Sequence, residues 1–298
     1  MEKIVLKATD GYELDVHVFK VEKPKAVVQL VHGMEEHQER YEKFVNFLND
    51  NGFSVVTSNM RGHGENAPTL GYFKDKGGYK LLISDQLTIT NYIKQNFKGL
   101  PIYIFAHSMG TIITRVLLQE NSGLYSKVVL SGYPNYQAAT GMGILLTNVI
   151  KFFKGAKYKS KLVNKLSVGS FNKQIKNPKT SVDWVCANEE TVKNYIADPL
   201  CGFGFTVSAF NDLFNLVKLM HQPKRYVNVN TALPLLLLCG ANDPCVGGKK
   251  GSADSINTLK KAGFAYITSK TYDGMRHEIL NETENALVYT DTLAFYNK

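Results

Sequence analysis

Short, almost continuously apolar runs alternate along this chain with stretches whose apolar residues recur at helical spacing. The runs Ala26-Val27-Val28-Gln29-Leu30-Val31, Pro101-Ile102-Tyr103-Ile104 and Pro234-Leu235-Leu236-Leu237-Leu238-Cys239 read as strands of a sheet covered on both faces. Weaker strand patterns occupy Lys3 to Lys7 and Leu14 to Phe19, joined through the turn signal Asp10-Gly11, and then Phe53 to Thr57, Lys127 to Leu130 and Ala265 to Tyr272. Helical spacing marks Tyr41 to Asn51, Tyr79 to Phe97, Thr111 to Leu118, Lys249 to Ala262 and Asn281 to Tyr296. Strands alternating with helices imply right-handed crossovers. They predict an α/β fold: a mostly parallel, doubly wound sheet flanked by helices.

The alternation stops after Gly132-Tyr133-Pro134 and resumes at Pro234. Between them the pattern is helical or irregular, with no buried strand. Residues 1–134 and 230–298 are therefore expected to form one α/β core, and residues 135–229 a helical insertion. Within it, Met142, Leu145, Leu146, Val149 and Phe153 share one helical face, with Lys151 and Lys154 on others. Phe203, Phe205, Phe210, Leu213 and Phe214 make a second apolar cluster. Each cluster fits either packing of the insertion onto the core or the wall of an apolar chamber.

The 298 residues are 44% apolar and 20% charged, ordinary for a soluble globular protein. Met1 to Lys7 shows no secretory pattern, and no apolar run approaches the roughly 18 to 20 residues that span a bilayer. Cys186, Cys201, Cys239 and Cys245 are scattered without metal-ligand spacing, so reduced thiols in a cytoplasmic protein are expected. The net charge of +9 is local: from Asn121 to Val182 there are ten lysines and no acidic residue. That block fits a solvated face or a surface meeting anionic partners such as phospholipid. No nucleic-acid-binding motif accompanies it, and nothing in the chain fixes an oligomeric state.

The chemistry concentrates at Phe105-Ala106-His107-Ser108-Met109-Gly110, between an apolar strand and a helix. A serine there, with glycine two residues later, has the layout of a nucleophile elbow. Ala106 stands where glycine is usual, so a tighter turn is expected. An activated serine needs a base and a group that orients the base. His277 lies in the loop after the last strand, and Asp243 follows the leucine-rich strand in Gly240-Ala241-Asn242-Asp243-Pro244. The order Ser108, Asp243, His277, each after a strand, is that of an α/β-hydrolase triad. His107 adjoins the serine and points away from it; Asp273 is too near His277 in sequence to orient it. Candidate oxyanion donors are the backbone N–H of Met109 and that of Met34, in the turn His32-Gly33-Met34. His32 and Gly33 are expected to border bound substrate, as are Met142, Leu146, Phe203 and Phe205 of the insertion.

Those motifs carry a resemblance. The segments His32-Gly33-Met34-Glu35-Glu36-His37 with Arg40-Tyr41, Asn59-Met60-Arg61-Gly62-His63-Gly64, His107-Ser108-Met109-Gly110, Gly240 to Pro244, and His277-Glu278 with Asn281-Glu282 are similar to those of α/β-hydrolases in the monoacylglycerol lipase/lysophospholipase group, also called serine aminopeptidase S33-like. The resemblance implies an α/β-hydrolase fold whose insertion is a cap over the serine, and hydrolysis of a small-molecule acyl ester without cofactor or metal. A monoacylglycerol or lysophospholipid is the expected substrate class, with contact to an anionic membrane through the lysine-rich cap. A short-chain carboxylesterase is the next reading, and a noncatalytic binding protein on the same fold the reading from another class. Ala106, Asn59 and Glu35 depart from the family pattern. Glu35 stands near the oxyanion loop where a small residue is common, and it is expected to face solvent.

Overall fold

Gln29 interrupts an otherwise apolar strand, and its surroundings show how the sheet is covered. In the computed structural model, which describes residues 1–298, Gln29 is fully buried. Its amide donates to the carbonyl of Gln86 (3.0 Å) and to that residue's side-chain oxygen (2.9 Å), and accepts from the Thr90 hydroxyl (2.7 Å). A buried amide is tolerated because a covering helix meets its needs.

Eight strands form one sheet: β1 (Glu2–Lys7), β2 (Glu13–Phe19), β3 (Ala26–Val31), β4 (Phe53–Ser58), β5 (Ile102–His107), β6 (Lys127–Ser131), β7 (Leu235–Gly240) and β8 (Ile267–Tyr272). Their spatial order is β1-β2-β4-β3-β5-β6-β7-β8. The hairpin of β1 and β2 joins β4 in antiparallel pairing, and all other pairings are parallel. Each side of the sheet has its own core, because successive residues of β3 point to opposite faces. Ala26, Val28 and Leu30 pack towards α1 (Glu42–Asp50) and α9 (Asn285–Asn297). Val27 and Val31 face the larger cluster, which takes in α2 (Gly78–Asn96) and α3 (Met109–Asn121).

The chain passes from β3 to β4 on one side and then crosses to β5 on the other. Strand order thus reverses between β3 and β5, and the carboxyl ends of such strands border a crevice where ligands bind. Residues 132–234 leave the sheet at that end, after β6, and return to the opposite end to begin β7. They contain no strand but four helices: α4 (Thr140–Lys154), α5 (Lys161–Leu166), α6 (Glu189–Ala197) and α7 (Val207–Met220). Helix α7 packs on α2 and α3, and α4 lies against α7. Helix α8 (Gly248–Lys261) precedes the edge strand β8.

The turn from β5 into α3 is sharp. Ser108 has φ 50° and ψ −120°, a strained conformation of about 1–3 kcal/mol, and its N–H donates to the Ser131 carbonyl at 2.9 Å. Two small residues flank it for different reasons. Ala106 is buried in the larger core between Val31 and Leu130, where its methyl is accommodated. Gly110 has no such freedom: a Cβ there would lie 2.2 Å from the Val31 carbonyl oxygen and 2.6 Å from that of His32. Gly110→Ala is therefore expected to destabilise the fold by about 1–3 kcal/mol through overpacking. The check is a urea titration, with a lower midpoint at unchanged m-value.

Candidate active site

Three loops at the carboxyl ends of β5, β7 and β8 converge on Ser108. His277 Nε2 lies 2.7 Å from Ser108 Oγ, and His277 Nδ1 lies 2.9 Å from Asp243 Oδ2. Asp243 is steadied by the Cys245 N–H, which donates to its Oδ1 at 2.8 Å. The two loops pass so closely that a Cβ on Gly240 would sit 2.2 Å from the Arg276 carbonyl oxygen. Glycine at the end of β7 thus lets the acid loop reach the histidine loop.

Burial pushes the His277 imidazole towards its neutral form, but the charge and hydrogen bond of Asp243, with Glu278 and Glu36 behind them, raise its pKa above the ordinary histidine value. Such an imidazole can take a proton from Ser108 and hold it. His107, 4.8 Å from His277 between ring centroids, has no carboxylate partner, and burial drives its pKa well below the ordinary value. Its Nδ1 is 3.5 Å from Ser131 Oγ, away from Ser108.

A second convergence lies beneath the turn after β3. A Cβ on Gly33 would be 3.0 Å from Ser108 Cβ, so the loop carrying Met34 runs against the serine. Met34 borders the cavity above Ser108, and no protein acceptor takes its N–H. Met109 opens α3, whose first-turn N–H groups lack acceptors within the helix. The loop is clamped from below. Glu36 accepts the Gly33 N–H (2.5 Å) and the Tyr41 hydroxyl (2.7 Å) on one oxygen, and Arg40 (2.9 Å) on the other. Arg40 also binds both oxygens of Glu278 at 2.5 and 2.6 Å. Burial alone would lower the pKa of Arg40; its two carboxylate partners raise it instead, keeping the guanidinium charged. The neighbour of Met34 and the neighbour of His277 thus share one cation.

A cavity of about 650 Å³ opens above Ser108. Of the residues expected to border substrate, Met142 and Leu146 line it, whereas His32, Gly33, Phe203 and Phe205 do not. His32 is fully buried: its Nδ1 bonds the Gly33 carbonyl at 2.8 Å and its Nε2 accepts the Met60 N–H at 3.0 Å, so it shapes the loop from behind. Phe203 and Phe205 pack on the ring of His63. Glu35 also departs from expectation. Its side chain is buried rather than solvated, with only 8% of the residue exposed. Leu213 and Phe214, from the second apolar cluster, also line the cavity. The sequence reading did not place Trp184, whose ring is 5.1 Å from that of His277, or Tyr195 and Val217 in the wall. Trp184 lies in irregular chain, and Tyr195 and Val217 on helices α6 and α7, and only tertiary packing sets which of them face the cavity.

Two groups of possible metal ligands occur near the site, Asp243–Cys245–His277 and His37–Asp198–Cys201. In the first, Asp243 and His277 are bonded to each other. In the second, His37 bonds Glu39 at 2.7 Å and Asp198 at 2.8 Å through its two ring nitrogens.

Removing Arg40 would leave Glu36 and Glu278 buried without their cation. Arg40→Ala is expected to cost about 3–5 kcal/mol of stability, as for other broken buried pairs. Denaturation in urea at neutral pH measures this, and a loss under about 1 kcal/mol would contradict the clamp.

Comparison with known proteins places this geometry. The family model described as serine aminopeptidase, S33 (Hydrolase_4) matches residues 22–284. The chain is 28% identical to the monoacylglycerol lipase of Mycolicibacterium smegmatis over 273 residues, covering 91% of this chain and 88% of that one. It is 26% identical to human monoglyceride lipase, covering 87% and 77% of the two chains. A thermostable carboxyl esterase from Bacillus coagulans superposes with a TM-score of 0.92 at 23% identity, over 99% of this chain and 97% of the other. The sheet, its helical layers and the matched family agree: the chain belongs to the serine aminopeptidase S33 family of α/β-hydrolases and is a hydrolase of the serine type.

Proposed function

We propose that this hydrolase cleaves lipid-like monoesters, of the monoacylglycerol or lysophospholipid class, through an acyl-enzyme formed on Ser108. The observation that carries the reading is the unbroken line from Ser108 Oγ through His277 to Asp243, opening on a largely apolar cavity. His277 Nε2 takes the serine proton as Oγ attacks the ester carbonyl, while Asp243 holds Nδ1–H and stabilises the imidazolium. The N–H groups of Met34 and Met109 hold the oxyanion; each such donor is worth about 3–4 kcal/mol where one has been removed. The tetrahedral intermediate collapses, the alcohol leaves with the proton from His277, and water repeats the sequence to release the acid. Every step is proton and acyl transfer by the chain's own groups.

The cavity wall of Met142, Leu146, Leu213, Phe214 and Val217 suits an acyl chain, and the relatives named monoacylglycerol or monoglyceride lipase agree with it. An anchor for a substrate amine is not evident at this wall: Glu36 and Glu278 are engaged by Arg40, and burial raises the pKa of Glu35, which favours its neutral form. We assign residues 135–229 as a cap over a core of residues 1–134 and 230–298. No helix is long and apolar enough to cross a membrane. Contact with an anionic lipid surface is supported instead by the outer face of α4, where Leu145, Phe152 and Phe153 are exposed beside Lys151 and Lys154.

Ser108→Ala is expected to lower turnover by about 10⁴- to 10⁶-fold and to abolish labelling by a fluorophosphonate. Near-wild-type hydrolysis by that variant would end the assignment. A panel of esters varying acyl length and headgroup should favour long-chain monoacylglycerols or lysophospholipids; preference for acetyl or butyryl esters would make the protein a short-chain esterase. At low salt, vesicles rich in anionic lipid should retain the protein, and Phe152→Asp with Phe153→Asp should release it. Equal retention on neutral vesicles would remove the anionic-surface reading.

A further inference from the structure

Glu35 stands beside Met34, yet both of its backbone polar groups are taken by distant parts of the chain. Its N–H donates to His63 Nε2 at 3.2 Å. The His63 imidazole is held neutral because burial pushes its pKa down to about 4, which leaves that nitrogen's lone pair free to accept. The Glu35 carbonyl accepts the Gly202 N–H at 3.0 Å and the Tyr195 hydroxyl at 3.1 Å. Its carboxyl is turned towards the backbone of Gly204 and Phe205, and its Oε1 has no hydrogen-bond partner. With Gly202, these residues form one stretch between α6 and α7, which runs across the oxyanion loop like a strap. Two residues on, His37 Nε2 binds Asp198 of the same stretch at 2.8 Å.

The backbone supports the same account. Glu35 has φ 55°, a left-handed conformation that costs a side chain about 1–2 kcal/mol and that a free loop would give to glycine. Such conformations persist where surroundings over-determine them. Here the surroundings are the strap itself, whose Gly202 and Gly204 are also left-handed, at φ 59° and 75°. Gly202 comes so close to Tyr195 that a Cβ would be 3.3 Å from its ring.

We infer that Glu35 is a positioning residue: by fastening the strap Gly202–Phe205 to the oxyanion loop, it makes presentation of the Met34 N–H depend on a seated cap. The inference rests on the reading of Ser108 as nucleophile and Met34 as oxyanion donor. Displacing the strap would release Glu35 from its left-handed turn and free the backbone at Met34 to turn, carrying the Gly33–Met34 peptide, and with it the Met34 N–H, away from Ser108. Ester bound under a displaced strap would then meet an incomplete oxyanion hole, so acyl transfer would wait for the cap to seat.

The test uses the full chain with Glu35→Ala, Glu35→Gln and Tyr195→Phe. Each variant is assayed for kcat and KM on one long-chain ester, for affinity towards an acyl trifluoromethyl ketone that forms a tetrahedral adduct with serine, and for thermal stability. Glu35→Ala should lose about 10- to 100-fold in kcat and in ketone affinity, with KM within about twofold, because an oxyanion donor acts in the transition state. Glu35→Gln should stay within about threefold of wild type, since it keeps the size of the side chain packed against the strap. Tyr195→Phe should show a smaller loss, about 3- to 10-fold, with the same split. It also decides the matter if Glu35→Ala does not fold. Wild-type kcat and ketone affinity in folded Glu35→Ala would overturn the inference, as would an effect confined to melting temperature or KM, or a Gln variant as impaired as Ala. Hydrolysis surviving in Ser108→Ala would instead overturn the reading of the site; an inert Ser108→Ala beside a fully active Glu35→Ala overturns the coupling alone.

Discussion

The Arg40 guanidinium, buried between Glu36 and Glu278, is the interaction on which this site is built. Sequence places its two carboxylates 242 residues apart (278 minus 36), one next to the oxyanion loop and one next to the base. Removing three charged groups from water is expensive, and apolar residues of similar volume would stabilise the fold as well or better. What apolar packing could not do is fix directions. The bidentate bond to Glu278 sets where the chain goes after His277, and the Glu36 oxygen that accepts the Gly33 N–H sets the turn before Met34. The clamp exchanges some stability for a fixed distance between two loops from opposite sides of the sheet's switch point.

The histidines show the same logic applied to protons. His32, His63 and His107 are buried within the same region, and burial lowers the pKa of each. Neutral imidazoles then serve as rigid connectors, with a ring nitrogen of His32 and of His63 accepting a backbone N–H. His277 is equally buried, but its carboxylate neighbours reverse the sign of the shift. One anion at 2.9 Å separates an imidazole that can change charge from three that stay structural.

Much of this was legible in the sequence. The central strands follow from runs of apolar residues because a doubly covered sheet leaves no polar face to confuse the period, whereas the exposed edge strands β1 and β8 carry weaker patterns. Ser108, Asp243 and His277 could be named from loop position and order, and the structure brings them within hydrogen-bond distance. The failures share a cause. His32, Phe203 and Phe205 are aromatic residues near the site in sequence, and nothing local says whether a ring faces a cavity or the packing behind it. Glu35 was expected in solvent because a carboxylate turned inward would oppose an oxyanion; the backbone that it is turned towards lies about 170 residues away (204 minus 35) and carries no side-chain signature. Gly110 rather than Ala106 proves the sterically restricted position, since only packing shows which neighbour meets a carbonyl.

The insertion between β6 and β7 enters and leaves the sheet through adjacent parallel strands, which would let evolution exchange caps as cassettes while leaving the chemistry alone. In this chain the cassette is not free. The turn after β3 borrows hydrogen bonds from Tyr195 and Gly202 to hold a left-handed glutamate. A different cap would have to place a hydroxyl and an N–H where Tyr195 and Gly202 place theirs. Substrate range and catalytic geometry are therefore inherited together here, and a change of diet in this lineage has to pass through the oxyanion loop.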